Sequence, residues 1–78
     1  MMKRYSQEEF DAIPRDEGRK NCPTGDYSQI KEFGDCCSFN ADCIFGKNSH
    51  FGDGCSFGGH CKFGDNCYFG SCCDFGHG

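Results

Sequence analysis

The sequence contains no long apolar run and, past its first third, almost no positive charge. No stretch approaches the roughly 20 apolar residues that a membrane-spanning helix requires. The opening residues, Met1-Met2-Lys3-Arg4-Tyr5-Ser6-Gln7-Glu8-Glu9, turn acidic at once and hold no apolar core of a secretory signal. The expected location is therefore the cytoplasm, where thiols stay reduced, with no membrane partner. From residue 33 onward the only basic residues are Lys47 and Lys62, set against Asp35, Asp42, Asp53, Asp65 and Asp74. Residues 1–32 are nearly balanced, and the formal net charge of the whole chain is −4. That balance argues against direct binding of nucleic acid or an anionic membrane. It suits a basic protein surface instead.

Seventy-eight residues make one small domain, below the size at which a single apolar core is comfortably stable. Such chains usually rely on disulfides, a metal, oligomerisation or a very regular architecture. Nine cysteines point first to disulfides or zinc, but the odd count disfavours a closed set of bridges. The spacing is Cys-x5-Cys rather than the Cys-x2–4-Cys of structural zinc sites, so no metal is expected.

The regular architecture is visible from Phe33. The chain divides into FGDCCS, FNADCI, FGKNSH, FGDGCS, FGGHCK, FGDNCY, FGSCCD and FGHG. Phenylalanine opens all eight units, and glycine follows it in seven, with Asn40 the exception. The fifth place is Cys37, Cys43, Ser49, Cys55, Cys61, Cys67 and Cys73. A short fixed period of this kind marks a solenoid. Six residues suit a short strand plus a corner, and three such sides close a triangular coil of about eighteen residues, stacked at roughly 4.8 Å. The first and fifth places then point inward, the fifth near a corner where only a small side chain fits. Ring columns Phe33/Phe51/Phe69, Phe39/Phe57/Phe75 and Phe45/Phe63 follow, with the inward cysteines as small apolar fillers. Stacked cysteines have parallel Cβ vectors, which disfavours bridging. Cys36 and Cys72 take the outward fourth place on one face, about two coils (~10 Å) apart.

On these residues, positions 33–78 resemble the hexapeptide-repeat left-handed parallel β-helix, with phenylalanine replacing the family's usual aliphatic residue. The resemblance implies an all-β solenoid with residues 33–78 as the β-helix and residues 1–32 as an N-terminal helix and cap. It also raises acyltransferase chemistry. The solenoid is short for an acyl-donor groove, and His50, His60 and His77 do not share a face, so no catalytic residue, cofactor or enzyme activity is expected. Ice binding, another β-helix function, needs threonine ladders, and Thr24 is the only threonine.

Within residues 1–32, Ser6-Gln7-Glu8-Glu9 forms a capping box ahead of a helix from Gln7 to about Ile13, stopped by Pro14. Residues 14–26 read as a loop rich in charge, glycine and proline. Tyr27 lies six before Phe33 and opens a degenerate first unit. The C-terminal end shows no cap, and its open edge leads to an expectation of a monomer or a weak homodimer.

Sorting the outward places by side puts Asp35, Asp53 and Asp74 together with Ser38, Ser56 and Ser71 and with no basic residue. A second side carries Asp42, His60, Lys62 and His77, and the third carries Lys47, Asn48, His50, Asp65, Asn66 and Tyr68. A stiff rod bearing regularly spaced carboxylates can occupy a Lys/Arg channel built for DNA with little ordering cost. Asp35, Asp53 and Asp74 are the primary partner-binding candidates, with Asp42, Asp65, Glu8, Glu9 and Asp11 secondary. The run RYSQEEFDAIP…CPTGDYSQIKEFG followed by FG-hexapeptides also resembles small proteins carried by phages and prophages. Several such proteins are anti-CRISPR inhibitors. That resemblance implies a bacterial cytoplasm, no direct contact with nucleic acid, and a target such as the subunit of a type I surveillance complex that reads the protospacer-adjacent motif. The alternatives are an assembly module that self-associates through its β-helix edge and a remnant of a β-helix acyltransferase.

Overall fold

The fold follows from what a six-residue unit does when its first side chain is a phenyl ring and its fourth residue turns left-handed. The computed structural model describes residues 2–76. Helix α1 (Gln7–Asp11) is followed by β1 (Arg15–Asp16), β2 (Arg19–Cys22), β3 (Asp26–Tyr27), β4 (Glu32–Gly34), β5 (Cys37–Phe39), β6 (Ile44–Phe45), β7 (His50–Phe51), β8 (Ser56–Phe57), β9 (Tyr68–Phe69) and β10 (Asp74–Phe75). The strands stack in parallel as three walls, β2-β5-β8-β10, β4-β7-β9 and β3-β6, and β1 joins β2 antiparallel at the edge. Lys62 continues the third wall by bridging to Ile44. The register steps by eighteen residues, as in Phe39 opposite Phe57 and Phe51 opposite Phe69. This is a parallel β-solenoid, compatible with the hexapeptide-repeat β-helix.

The corners share one conformation. The fourth residue of each of the first seven units, Cys36, Asp42, Asn48, Gly54, His60, Asn66 and Cys72, has φ between 55° and 72°. Glycine, Asn and Asp accept that left-handed region readily, whereas Cys and His pay for it. The turned backbone is held from the next coil: the amides of Cys36, Asp42, Asn48 and Gly54 donate to the carbonyls of Asp53, Gly59, Asp65 and Ser71 at 2.8–2.9 Å.

Leu and Val are absent from the chain, and the core is aromatic. Within a coil the rings meet edge to face, with Phe33, Phe39 and Phe45 separated by 4.9–5.6 Å at 77–85°. Between coils they stack nearly flat: Phe33 on Phe51 at 4.4 Å, Phe51 on Phe69 at 5.1 Å, Phe39 on Phe57 at 5.3 Å and Phe45 on Phe63 at 5.0 Å. Both arrangements suit the ring quadrupole, and Ile30 is the one buried aliphatic side chain among the described residues. The expected columns are all present.

The N-terminal third differs from expectation in two places. The helix ends at Asp11 rather than near Ile13, although its capping box of Ser6 and Glu9 forms as read. The supposed loop over 14–26 holds the β1–β2 hairpin, turned at Glu17 and Gly18 with positive φ, and β2 already pairs in parallel with β5. A composition of charge, Gly and Pro hid it because β2 draws its order from the coil beside it, not from its own pattern. Tyr27 does open a first unit, stacking on Phe45 at 5.7 Å. Phe10, 1% exposed, lies flat over Phe39 and edge-on to Phe33, and Tyr5 stacks on Tyr27 at 4.7 Å. Together they close this end of the ring stack.

Candidate functional site

Two exposed carboxylates, Asp35 and Asp53, lie at the corner between the β4-β7-β9 wall and the β5-β8-β10 wall. Asp35 and Asp53 hold equivalent third places one coil apart. Asp35 Oδ1 accepts from the backbone amide of Asp53 at 2.9 Å, and Asp53 Oδ1 accepts from that of Ser71 at 2.7 Å. The neighbouring glycines create the room: a Cβ on Gly52 would collide with the Asp35 carboxylate, and one on Gly70 with that of Asp53. Each aspartate therefore staples its coil to the next and keeps its second oxygen toward solvent. Long charged side chains usually lose rotamer freedom when they meet a partner. Here the backbone has already fixed two carboxylates.

Asp74 does not extend that column. It sits on β10 beside Ser56, which pairs in turn with Ser38, so the third place in the carboxylate column belongs to Ser71. This side is also not free of basic residues. Arg19 of β2 reaches across it, donating to Ser38 Oγ at 2.7 Å and to the Gly54 carbonyl at 3.3 Å. Sequence reasoning missed Arg19 because it placed residues 14–26 in a loop.

The secondary candidates are dispersed. Glu8, Glu9 and Asp11 lie on α1 at the closed end. Glu9 accepts from the Ser6 amide and pairs with Lys3 at 2.9 Å, which holds its carboxyl below the usual range, and Asp11 accepts from Gln7. Asp42 and Asp65 are exposed at two other corners. His50 stacks on Tyr68 at 4.8 Å, His60 occupies a corner, and His77 lies outside the described residues. No family model, curated protein or solved structure matches this chain.

The thiols have a packing chemistry of their own. All nine are free. Cys43, Cys67 and Cys73 donate to the carbonyl of the second residue of their own unit at 3.1–3.5 Å, as Ser49 does to Gly46 at 2.9 Å. Cys55, Cys61, Cys67 and Cys73 also reach the second-place carbonyl of the coil before, at 3.4–3.5 Å. The fifth place thus needs a small donor, which explains why serine can replace cysteine there. A hydrogen bond with the Cys22 thiol pushes Cys37 up to about 11, and burial pushes Cys43 up to about 11. The contact with Cys37 raises Cys55 further. Neutral thiols of this kind are poor nucleophiles and poor metal ligands. Among the described residues no cluster of three His, Cys, Asp or Glu is placed to hold a metal ion.

Iodoacetamide at pH 8 is expected to label Cys72, which is exposed, and more slowly Cys36, which is half-buried, while Cys37, Cys43 and Cys55 stay protected until denaturant is added. Peptide mass spectrometry reads each site. Labelling of Cys43 as fast as Cys72 in the folded protein would contradict the packing assigned to the fifth place.

A further group escaped the sequence reading. Lys20 is buried, its ammonium donating to the Phe10 carbonyl at 2.9 Å and lying 4.1 Å from the Phe10 ring centroid. That position suits the negative end of α1 and adds a cation–π contact, so Lys20 clamps the capping helix onto the first coil. Only the folding of β2 beside α1 brings the two together.

Proposed function

We propose that this protein is a non-catalytic binding protein that presents the Asp35/Asp53 corner to a basic, nucleic-acid-binding surface of a protein partner. The observation that carries the reading is the pair of backbone-fixed, solvent-facing carboxylates one coil apart. A surface evolved to grip phosphates meets two preset negative charges, and the partner need not order flexible side chains to bind them. The net charge of −4 favours the encounter, and Arg19, bound to Ser38 and to the Gly54 carbonyl, is the basic group that lies beside the acidic corner. In its finer form the partner is the subunit of a type I CRISPR surveillance complex that reads the protospacer-adjacent motif, and the protein is a phage- or prophage-borne inhibitor in the bacterial cytoplasm. The support for this form is the resemblance to phage-carried proteins together with the size and charge of the chain.

Asp35→Asn with Asp53→Asn tests the reading cleanly, because asparagine keeps the Oδ1 that accepts from the next coil while removing the charge. Adding Asp74→Asn asks whether the neighbouring strand contributes. The wild type is expected to displace duplex DNA from a type I surveillance complex in a gel-shift competition. The double variant should need at least about tenfold more protein, equivalent to roughly 1.4 kcal/mol, with its melting temperature nearly unchanged. Equal competition by wild type and double variant, or none by the wild type, would refute it.

A further inference from the structure

The two ends of the solenoid are unlike. The N-terminal end is closed by Phe10 and Tyr5, whereas at the other end Phe69 is 37% exposed, Phe75 54% and Tyr68 58%. A cavity of about 230 Å³ opens there against Phe57, Phe63 and Phe75. β9 and β10 are the last strands of their walls and have no further neighbour among the described residues. An exposed apolar face with unpaired strand edges calls for a partner. Head-to-tail stacking is disfavoured, because at the other end Phe10 of α1 already lies over Phe39 and Phe33 and keeps an incoming ring off the stack. An isologous contact, end against like end, remains open.

The end is nearly three-sided, so a two-fold axis perpendicular to the solenoid can pass through the middle of any of three walls. In each case the two chains run around their coils in opposite senses, and the edge strands meet antiparallel. Charge distinguishes the three. The outward residue just before the ring is Lys62 on one wall, Tyr68 on the second and Asp74 on the third. All three side chains are exposed. An axis through the Lys62 wall brings two lysines together, and one through the Asp74 wall brings two aspartates together. An axis through the Tyr68 wall sets Lys62 beside the partner's Asp74, twice, and sets the two Tyr68 rings next to each other.

We propose that this end is a self-complementary docking surface for a second copy of the chain, with the two-fold axis through the β9 wall and Lys62 paired with the partner's Asp74. The molecule measures 28 × 25 × 20 Å, so one end offers only a few hundred Å² per copy, below the roughly 800 Å² per partner of a standard stable interface. The dimer is therefore expected to be weak and reversible. The side chains that define it, Lys62, Tyr68 and Asp74, do not include Asp35 or Asp53, so the proposal does not rest on the function proposed for that corner.

Sedimentation equilibrium from about 10 µM to about 1 mM, with a reductant present to prevent cross-linking through Cys72, tests the proposal. The wild type is expected to fit a monomer–dimer equilibrium. Lys62→Asp alone and Asp74→Lys alone should each weaken it at least tenfold by placing like charges together. The charge-swapped double variant Lys62→Asp/Asp74→Lys should restore it to within a few-fold. All three variants change exposed side chains, and circular dichroism confirms that each is folded. A monomer throughout the range, an open-ended series of larger species, or a dimer indifferent to either charge reversal would overturn the proposal.

Discussion

Replacing Phe45 with alanine is expected to lower the melting temperature by at least about 12 °C, or to leave the chain largely unfolded at 25 °C. Phe45 is buried, stacks between Tyr27 and Phe63, and meets Phe33, Phe39, Phe51 and Phe57 edge-on at 4.9–5.5 Å. Removing a buried phenyl ring typically costs 3–5 kcal/mol, and in a domain of this size each kcal/mol moves the midpoint by roughly 4–8 °C. No Leu or Val lies nearby to collapse into the space, since the chain has none. The comparison is Phe75→Ala, whose ring is 54% exposed and should cost less than about 1.5 kcal/mol. Thermal unfolding followed by circular dichroism separates the two. Similar losses at positions 45 and 75 would mean that the rings do not form graded columns.

Gly58→Ala should be nearly as damaging, and for a reason no hydrophobicity scale contains. From Gly46 onward the second place of each unit passes directly over the backbone of the coil before it. A methyl group at Gly58 would lie 2.7 Å from the Asn40 carbonyl carbon and 2.8 Å from Ala41 Cα, and would collide with the Ala41 amide nitrogen. Backbone cannot swing aside as a side chain can, so the coils must separate and weaken hydrogen bonds such as Gly58 N to Phe39 O at 2.9 Å. A loss of about 3 kcal/mol or more is expected, at the upper end for overpacking. Asn40 is the control. It holds the same place in its unit, already carries a Cβ, and lies above Cys22 and Pro23 at the start of the stack, so Asn40→Ala should change stability by under about 1 kcal/mol. Urea midpoints decide between them. Equal tolerance at 40 and 58 would show that the glycines serve the turn rather than the stacking distance.

How much of this was legible in the sequence depends on whether a residue's role repeats. Phe33 through Phe75 announce their columns because each ring has the same neighbours eighteen residues away, and period alone fixes them. The small fifth place was legible for the same reason, although its hydrogen bond to a backbone carbonyl was not. The left-handed corner was hidden, because Cys36, His60 and Cys72 occupy it against their own preference and only Asp42, Asn48, Gly54 and Asn66 hint at it. What occurs once was lost. Arg19 and Lys20 act across the fold from a hairpin whose order comes from the adjacent coil, and no local pattern marks them. The acidic corner was half legible: Asp35 and Asp53 share a phase, but Asp74, three residues out of that phase, belongs to a flat strand instead. That each carboxylate also binds the next coil depends on the missing Cβ of Gly52 and Gly70, which a sequence shows only as repeat.

Rings eighteen residues apart lie face to face along a single axis and so hold the walls and corners in register. Aromatic NOE spectroscopy on protein with site-specifically labelled Phe51 tests it directly. Phe51 lies 4.4 Å from Phe33 and 5.1 Å from Phe69, centroid to centroid, and strong cross-peaks to both rings are predicted. Cross-peaks to Phe45 and Phe57 alone, with none to Phe33 or Phe69, would contradict it.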